Sequence, residues 1–411
     1  MGRRVAELDA LRGIAAVIIL LFHLNPAQFP PGWTGVDLFF VLSGYLITTI
    51  ILDHLGTIRF LAVFYARRAL RIWPIYYLTL AVLVFTAPLI PADRQPPLKG
   101  LGYYLTFCQN LSLYKLIPPP QFHVAFEHTW TLALEEQFYV LWPPLIMLGA
   151  WTGWDRLGSL AGRVAVRNGQ GRRLVQARRR FAWVLSLGGR TLRLIGVCCV
   201  PIVVAWMARA GGYFRLGRYS EFILISRCDG FALGGLMAIL LNDRLRVARN
   251  LNAYRLGFAL VAVLTFLNMA YHCSQDSLIH YIGLPTPADP ANTHLMVSLF
   301  YFGVVGVVVT LAGHPLMAPL RWRPLCDLGL ISYGIYLYHY PIYWAVDEYR
   351  VAYEHSLWKG AAKLALTLVI AQLSWRFIER PCLSLKSWFR YEGRGEDVRM
   401  APEPVESSTS I

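Results

Sequence analysis

Arg12 and His23 lie eleven residues apart in the apolar run L-R-G-I-A-A-V-I-I-L-L-F-H. At about 100° per residue, eleven helical steps return to within about 20° of the starting direction. The two side chains therefore share one face, about 16 Å apart along the axis. Burying a guanidinium and an imidazole in so apolar a helix is expensive, and ionisable groups in such places mark substrate or ion pathways. Imidazole titrates near neutrality and serves as a general base or as a covalent carrier of a transferred group.

Further ionisable groups recur in other apolar segments. Glu135 and Glu136 follow T-W-T-L-A-L, Asp229 sits in R-C-D-G-F-A-L-G-G-L, and His339 sits in Y-G-I-Y-L-Y-H-Y-P. Counted at about 1.5 Å per residue from the expected helix ends, all of these and His23 fall on one level in the outer half of a bilayer. That level predicts a shared pocket in which a glutamate orients the imidazole, as a carboxylate does in a catalytic triad. A second set, Arg67, Arg68 and Arg71 in F-Y-A-R-R-A-L-R-I-W-P, is expected at the cytoplasmic end beside Arg12. Guanidinium groups clamp phosphates. Asp37 and Ser43 lie between the two sets in G-V-D-L-F-F-V-L-S-G-Y-L-I. Ser43 lacks the context of a nucleophile elbow, so no nucleophilic role is expected of it.

The chain that must position these groups is greasy. Its 411 residues are 56% hydrophobic and only 15% charged. A soluble domain carries about 25% charge. Windows long enough to cross about 30 Å of hydrocarbon occur ten times. They begin near residues 10, 34, 72, 129, 194, 222, 254, 295, 327 and 358. The predicted fold class is all-α: a polytopic membrane protein of about ten transmembrane helices. With the N-terminus inside, the inner segments carry 26 Lys and Arg and the outer ones 7, which places both termini in the cytoplasm. The same distribution accounts for the net charge of +15 without nucleic acid. Arg12 interrupts the first run and no A-x-A site follows, so a cleaved signal peptide is not expected. The seven cysteines include no C-x-x-C, which argues against a zinc site, and no metal is expected.

Residues 1–380 read as one membrane domain with a cytoplasmic Arg-rich loop at about 151–190, attracted to lipid headgroups. Residues 381–411 read as a cytoplasmic tail, disordered at its polar end. The Pro-rich outer segment 91–127 holds an apolar patch too short to span, read as re-entrant or as a lid.

Taken in order, L-D-A-L-R-G-I-A-A-V-I-I-L-L-F-H, G-V-D-L-F-F-V-L-S-G-Y-L-I, R-R-A-L-R-I-W-P-I-Y-Y, H-T-W-T-L-A-L-E-E-Q-F-Y, the Arg227/Asp229 segment, I-S-Y-G-I-Y-L-Y-H-Y-P-I and F-I-E-R-P resemble the acyltransferase-3 family of integral membrane O-acyltransferases. The resemblance implies that cytoplasmic acyl-CoA, usually acetyl-CoA, donates its acyl group to a hydroxyl of a cell-surface glycan such as exopolysaccharide, O-antigen or lipo-oligosaccharide. It maps the family's essential histidine and arginine onto His23 and Arg12, and its paired loop arginines onto Arg68 and Arg71. Glu135 and Glu136 are then further catalytic candidates, with Arg67 beside the donor site and Asp37, Ser43, Asp229 and His339 as acceptor contacts. The expected partners are a glycan or lipid-linked saccharide acceptor, membrane lipids and polysaccharide assembly proteins, and the expected location is the bacterial inner membrane. Some members carry an extracytoplasmic esterase-like domain, whereas this sequence stops soon after its last window and is expected to act alone or with a partner. Competing expectations are acylation of a macrolide-type metabolite, a proton-coupled glycan or lipid transporter, and a non-catalytic accessory subunit.

Overall fold

In the computed structural model, the described residues are 5–57, 59–89, 100–113, 124–151, 189–216, 222–275, 290–348 and 357–391. Among them there are helices and turns and no strand. Ten long helices dominate this described part: α1 (Ala6–Leu24), α2 (Gly35–Asp53), α3 (Phe60–Thr86), α4 (Trp130–Ala150), α5 (Gly189–Leu216), α6 (Leu224–Leu241), α7 (Leu251–Gln275), α8 (Pro290–Thr310), α9 (Ser332–Glu348) and α10 (Leu357–Ser374). They correspond one for one to the ten windows read from the sequence. The chain is a multi-pass membrane protein. Seven of the ten, α2 with the turn before it, α3, α5, α6, α7, α8 and α10 with the turns after it, are long and apolar enough to cross a bilayer. The other three, α1, α4 and α9, bear most of the polar side chains of the candidate site.

One boundary differs in a way that matters. The third window was expected from residue 72, but α3 begins at Phe60. Phe60 and Phe64 are buried in the main apolar cluster, so the turns carrying the arginines are packed inside the bundle. Arg68 and Arg71 thus stand eight and eleven residues into the helix, about 12 and 16 Å from its start. The hydropathy of the arginines conceals this in the sequence, because their aliphatic stems pack while the charged heads find polar company.

α2 and α6 pack at backbone contact. A Cβ added at Gly44 would lie 2.0 Å from the carbonyl oxygen of Phe231, and one at Gly234 would lie 2.1 Å from that of Val41. Small residues at such crossings permit the approach that dispersion forces need within lipid. Prolines inside helices leave carbonyls without their usual donor. Pro144 does this to the Val140 carbonyl on α4, and the Tyr65 hydroxyl of α3 donates to it at 3.0 Å.

Two buried ion pairs stitch α2, α5, α6 and α8. Arg227 Nη2 lies 3.1 Å from Asp37 Oδ1, which also accepts from Ser298 Oγ at 3.3 Å, and Arg227 contacts His294. Arg209 Nη2 lies 2.7 Å from Asp229 Oδ2 and also donates to the Ser226 carbonyl. The apolar patch of the long segment between α3 and α4 forms two short helices, Leu101–Leu105 and Gln109–Leu113. These are tied down by Tyr76 Oη donating to the Tyr104 carbonyl at 2.9 Å and Gln109 Nε2 to the Thr129 carbonyl at 3.0 Å.

After α10 the chain does not simply leave as a tail. A π-turn at Trp375–Glu379 leads into short helical turns at Arg380–Ser384 and Leu385–Trp388, which pack against α3. The Arg-rich loop lies outside the described residues except at its edges, as do residues 392–411.

Candidate active site

A cavity with about 730 Å³ of atom-free space, its open part included, lies where α1, α2, α3, α4 and α9 converge. Arg12, Ser43, Arg68, Arg71, Glu135 and Tyr139 supply much of its polar wall, and Tyr336 borders it from α9. The elements explain the convergence. Arg68 and Arg71 are three residues apart and share a face of α3. Glu135 and Tyr139 are four apart on α4, and Tyr139 Oη donates to Glu135 Oε2 at 3.0 Å. Ser43 reaches across from α2 and donates to Glu135 Oε1 at 3.2 Å. Glu135 is within electrostatic reach of Arg12 and Arg68, and Arg12 of Arg68 and Arg71. Arg12 also faces Asp9 one turn below at 3.8 Å. The Arg68 guanidinium stands 5.2 Å over the Tyr139 ring, a cation–π contact. The two sets expected at different depths therefore meet in part: Glu135 joins the arginines.

His23 occupies a different environment. It sits in the last turn of α1, and its Nδ1 lies 3.0 Å from His339 Nε2. His339 is fully buried, and its Nδ1 lies 2.6 Å from the Tyr336 carbonyl oxygen. A third imidazole, His128, packs with its ring centroid 5.0 Å from that of His339, and its Nε2 lies 3.1 Å from the same Tyr336 carbonyl. Tyr340 stacks on His128 with centroids 5.2 Å apart and meets His23 edge to face at 5.3 Å.

The hydrogen-bond chain fixes the tautomers. A carbonyl oxygen accepts only, so His339 Nδ1 carries the proton. A neutral His339 then offers its Nε2 lone pair to His23, whose Nδ1 donates. The remaining nitrogen, His23 Nε2, is left with a lone pair. This is the arrangement that prepares an imidazole to remove a proton, with a histidine in the place a carboxylate takes in a triad.

Several expectations need correcting. Among the described residues, neither glutamate is a hydrogen-bond or ring partner of His23, and His339 takes the orienting position instead. The reason lies just before α4. The turn Val124–Thr129 folds His128 in beside His339. Glu135 follows seven residues later, about 10 Å further along the helix. Glu136 leaves the cavity altogether and accepts from Trp73 Nε1 at 3.4 Å on the α3 side. Asp37 and Asp229 are held in the ion pairs with Arg227 and Arg209, so they hold helices together rather than line the cavity. Arg67 also points elsewhere: its Nη1 donates to the carbonyls of Phe389 at 2.8 Å and Lys386 at 3.2 Å.

Sequence reasoning missed His128, Tyr139 and Tyr336. A signal existed for the first, since His128 precedes Glu135 by seven residues, two helical turns on one face. Tyr336 was legible as a partner of His339, three residues before it, though not as a wall. Its hydroxyl donates to the His128 carbonyl at 2.6 Å and lies 2.5 Å from Thr131 Oγ1. It thus separates the arginine-lined cavity from the imidazoles.

Comparison with known proteins covers nearly the whole chain. The family described as "Acyltransferase domain" matches residues 5–376. The chain is 27% identical over 393 residues to the peptidoglycan O-acetyltransferase OatA of Listeria monocytogenes, covering 92% of this chain and 55% of that protein. It is 27% identical over 402 residues to the O-acetyltransferase OatA of Staphylococcus aureus, covering 92% and 57%. The chain spans about half the length of the curated relatives it matches. No solved structure matches it.

Proposed function

The chain belongs to the acyltransferase domain family, and from that premise we propose that it is a membrane O-acetyltransferase moving an acetyl group from cytoplasmic acetyl-CoA to a hydroxyl of a cell-surface glycan in the bacterial inner membrane. Peptidoglycan, named for one of the relatives, joins exopolysaccharide, O-antigen and lipo-oligosaccharide as an acceptor of suitable chemistry. The observation that carries this reading is the chain from the Tyr336 carbonyl through His339 to His23, which leaves His23 Nε2 as a base.

The donor end follows from charge. The phosphates of CoA would meet Arg68, Arg71 and Arg12, with the pantetheine arm rising past Tyr336. About 16 Å of axis separates Arg12 from His23. His23 Nε2 takes the proton of the acceptor hydroxyl, the oxygen attacks the thioester carbonyl, and the carbon–sulfur bond breaks. The departing thiolate of CoA receives the proton from the imidazolium. Glu135 holds Ser43, Tyr139 and the arginine heads in register beneath the reacting end. With both termini in the cytoplasm, as the Lys and Arg distribution supports, the arginines face the cytosolic donor and the imidazoles face the acceptor side.

The test is transfer of label from radiolabelled acetyl-CoA to glycan acceptors by the purified protein in proteoliposomes. Wild type transfers label and His23→Ala, at matched protein level, does not. Full transfer by His23→Ala overturns the reading.

A further inference from the structure

We propose that the segment after α10 completes the donor site: Arg380–Tyr391 straps across the end of α2 and the arginine-bearing first half of α3, and Lys386 is a further ligand for the phosphates of the acyl donor. This rests on the donor reading above and adds to it a residue and a segment that the comparisons do not assign.

The strap is anchored by side chains. Arg67, adjacent to Arg68 on α3, donates to the carbonyls of Lys386 and Phe389. Its guanidinium lies 5.5 Å from the centroid of the Tyr391 ring. The other neighbours of Tyr391 are His54, just past the end of α2, with ring centroids 4.0 Å apart, and Phe60 at the start of α3, 5.7 Å away. Three elements are thereby joined at one point.

The anchoring carbonyl belongs to Lys386 itself. Its half-buried side chain is within electrostatic reach of Arg12, Arg67, Arg68 and Arg71. The carboxylates facing this group among the described residues are Asp9, Glu135 and Glu136, with Glu379 in reach of Arg71. Five cations against four carboxylates leave a net positive charge in a partly desolvated place. Like charges drawn together repel unless an anion compensates them, and a polyphosphate provides that anion. The π-turn at Trp375–Glu379 belongs to the same device. It buries Glu379 opposite Arg71 and turns the chain towards α3 rather than away from the bundle.

The experiment measures binding of CoA, and separately of S-acetylpantetheine, which lacks every phosphate, to the purified full chain in nanodiscs. Lys386→Gln is expected to weaken CoA binding roughly tenfold, as loss of one charged hydrogen bond does, while S-acetylpantetheine binds as before and Lys386→Arg restores CoA binding to within about threefold. Arg249→Gln, the same charge change on the exposed turn between α6 and α7, leaves CoA binding unchanged. Lys386→Gln binding CoA like wild type overturns the proposal, as does an equal loss with Arg249→Gln or an equal loss of both ligands. Wild type that binds no CoA at all overturns the donor reading together with it, an outcome distinct from failure of Lys386 alone.

Discussion

His23 Nδ1 and His339 Nε2 lie 3.0 Å apart, joining the last turn of α1 to the middle of α9. The pair works in one direction only, because His339 is held by a carbonyl that accepts and cannot donate. Replacing His339 by Ala removes that partner and leaves His23 held only by the Ile19 carbonyl one turn below. The expected result is a fall in kcat of about 10²-fold or more, with KM for acetyl-CoA unchanged, measured by label transfer in proteoliposomes. An unchanged kcat would remove His339 from the positioning role.

Arg68 is expected to act through binding. Arg68→Ala should raise KM for acetyl-CoA roughly tenfold while kcat stays within about twofold, the signature of lost uniform binding. Steady-state kinetics over a range of acetyl-CoA concentrations separates the two constants.

The adjacent glutamates should behave differently. Glu135→Gln removes the charge facing Arg12 and Arg68 and weakens the acceptance of the Ser43 and Tyr139 hydroxyls. It is expected to lower kcat/KM by about tenfold or more. Glu136→Gln, whose carboxylate accepts from Trp73 outside the cavity, is expected to stay within about threefold of wild type. Parallel assays of the two purified variants decide the matter, and equal losses would contradict the assignment.

The ion pair between α5 and α6 should reveal itself in stability. Removing one partner of a buried pair strands the other charge, at about 3–5 kcal/mol. Asp229→Asn is therefore expected to lower the melting temperature markedly, and the double variant Asp229→Leu with Arg209→Leu to regain part of the loss. Thermal unfolding in detergent, followed by tryptophan fluorescence, provides the reading.

Gly44→Ala is a test of the α2–α6 crossing. Its methyl group would overlap the Phe231 carbonyl, a backbone atom that cannot swing aside. Lower expression and a lower melting temperature are expected, with little change from Gly257→Ala, where a Cβ meets open space.

Ten helices were legible because each apolar run had the length of a bilayer crossing, and that signal depends on composition alone. The site was legible only in part. Arg12, His23, Arg68, Arg71, Ser43 and Glu135 could be named because charged and polar groups stand out in greasy sequence. Which of them meet was not legible, because depth was counted from helix ends that hydropathy places poorly. The uncounted turns at the start of α3 hid how far Arg68 and Arg71 penetrate, and the turn before α4 moved Glu135 away from His23. Asp37 and Asp229 drew attention for the same reason as the site residues, yet their partners Arg227 and Arg209 meet them through tertiary packing that no local pattern encodes.

Tyr336 stands between the arginine-lined cavity and the imidazole cluster, its hydroxyl bonded to the His128 carbonyl and to Thr131. In a membrane that stores energy as a proton gradient, an uninterrupted wet shaft from guanidinium to imidazole would short-circuit that store. An aromatic ring fastened by two hydrogen bonds at that point narrows such a shaft, and on the donor reading proposed above an acyl chain would have to displace it.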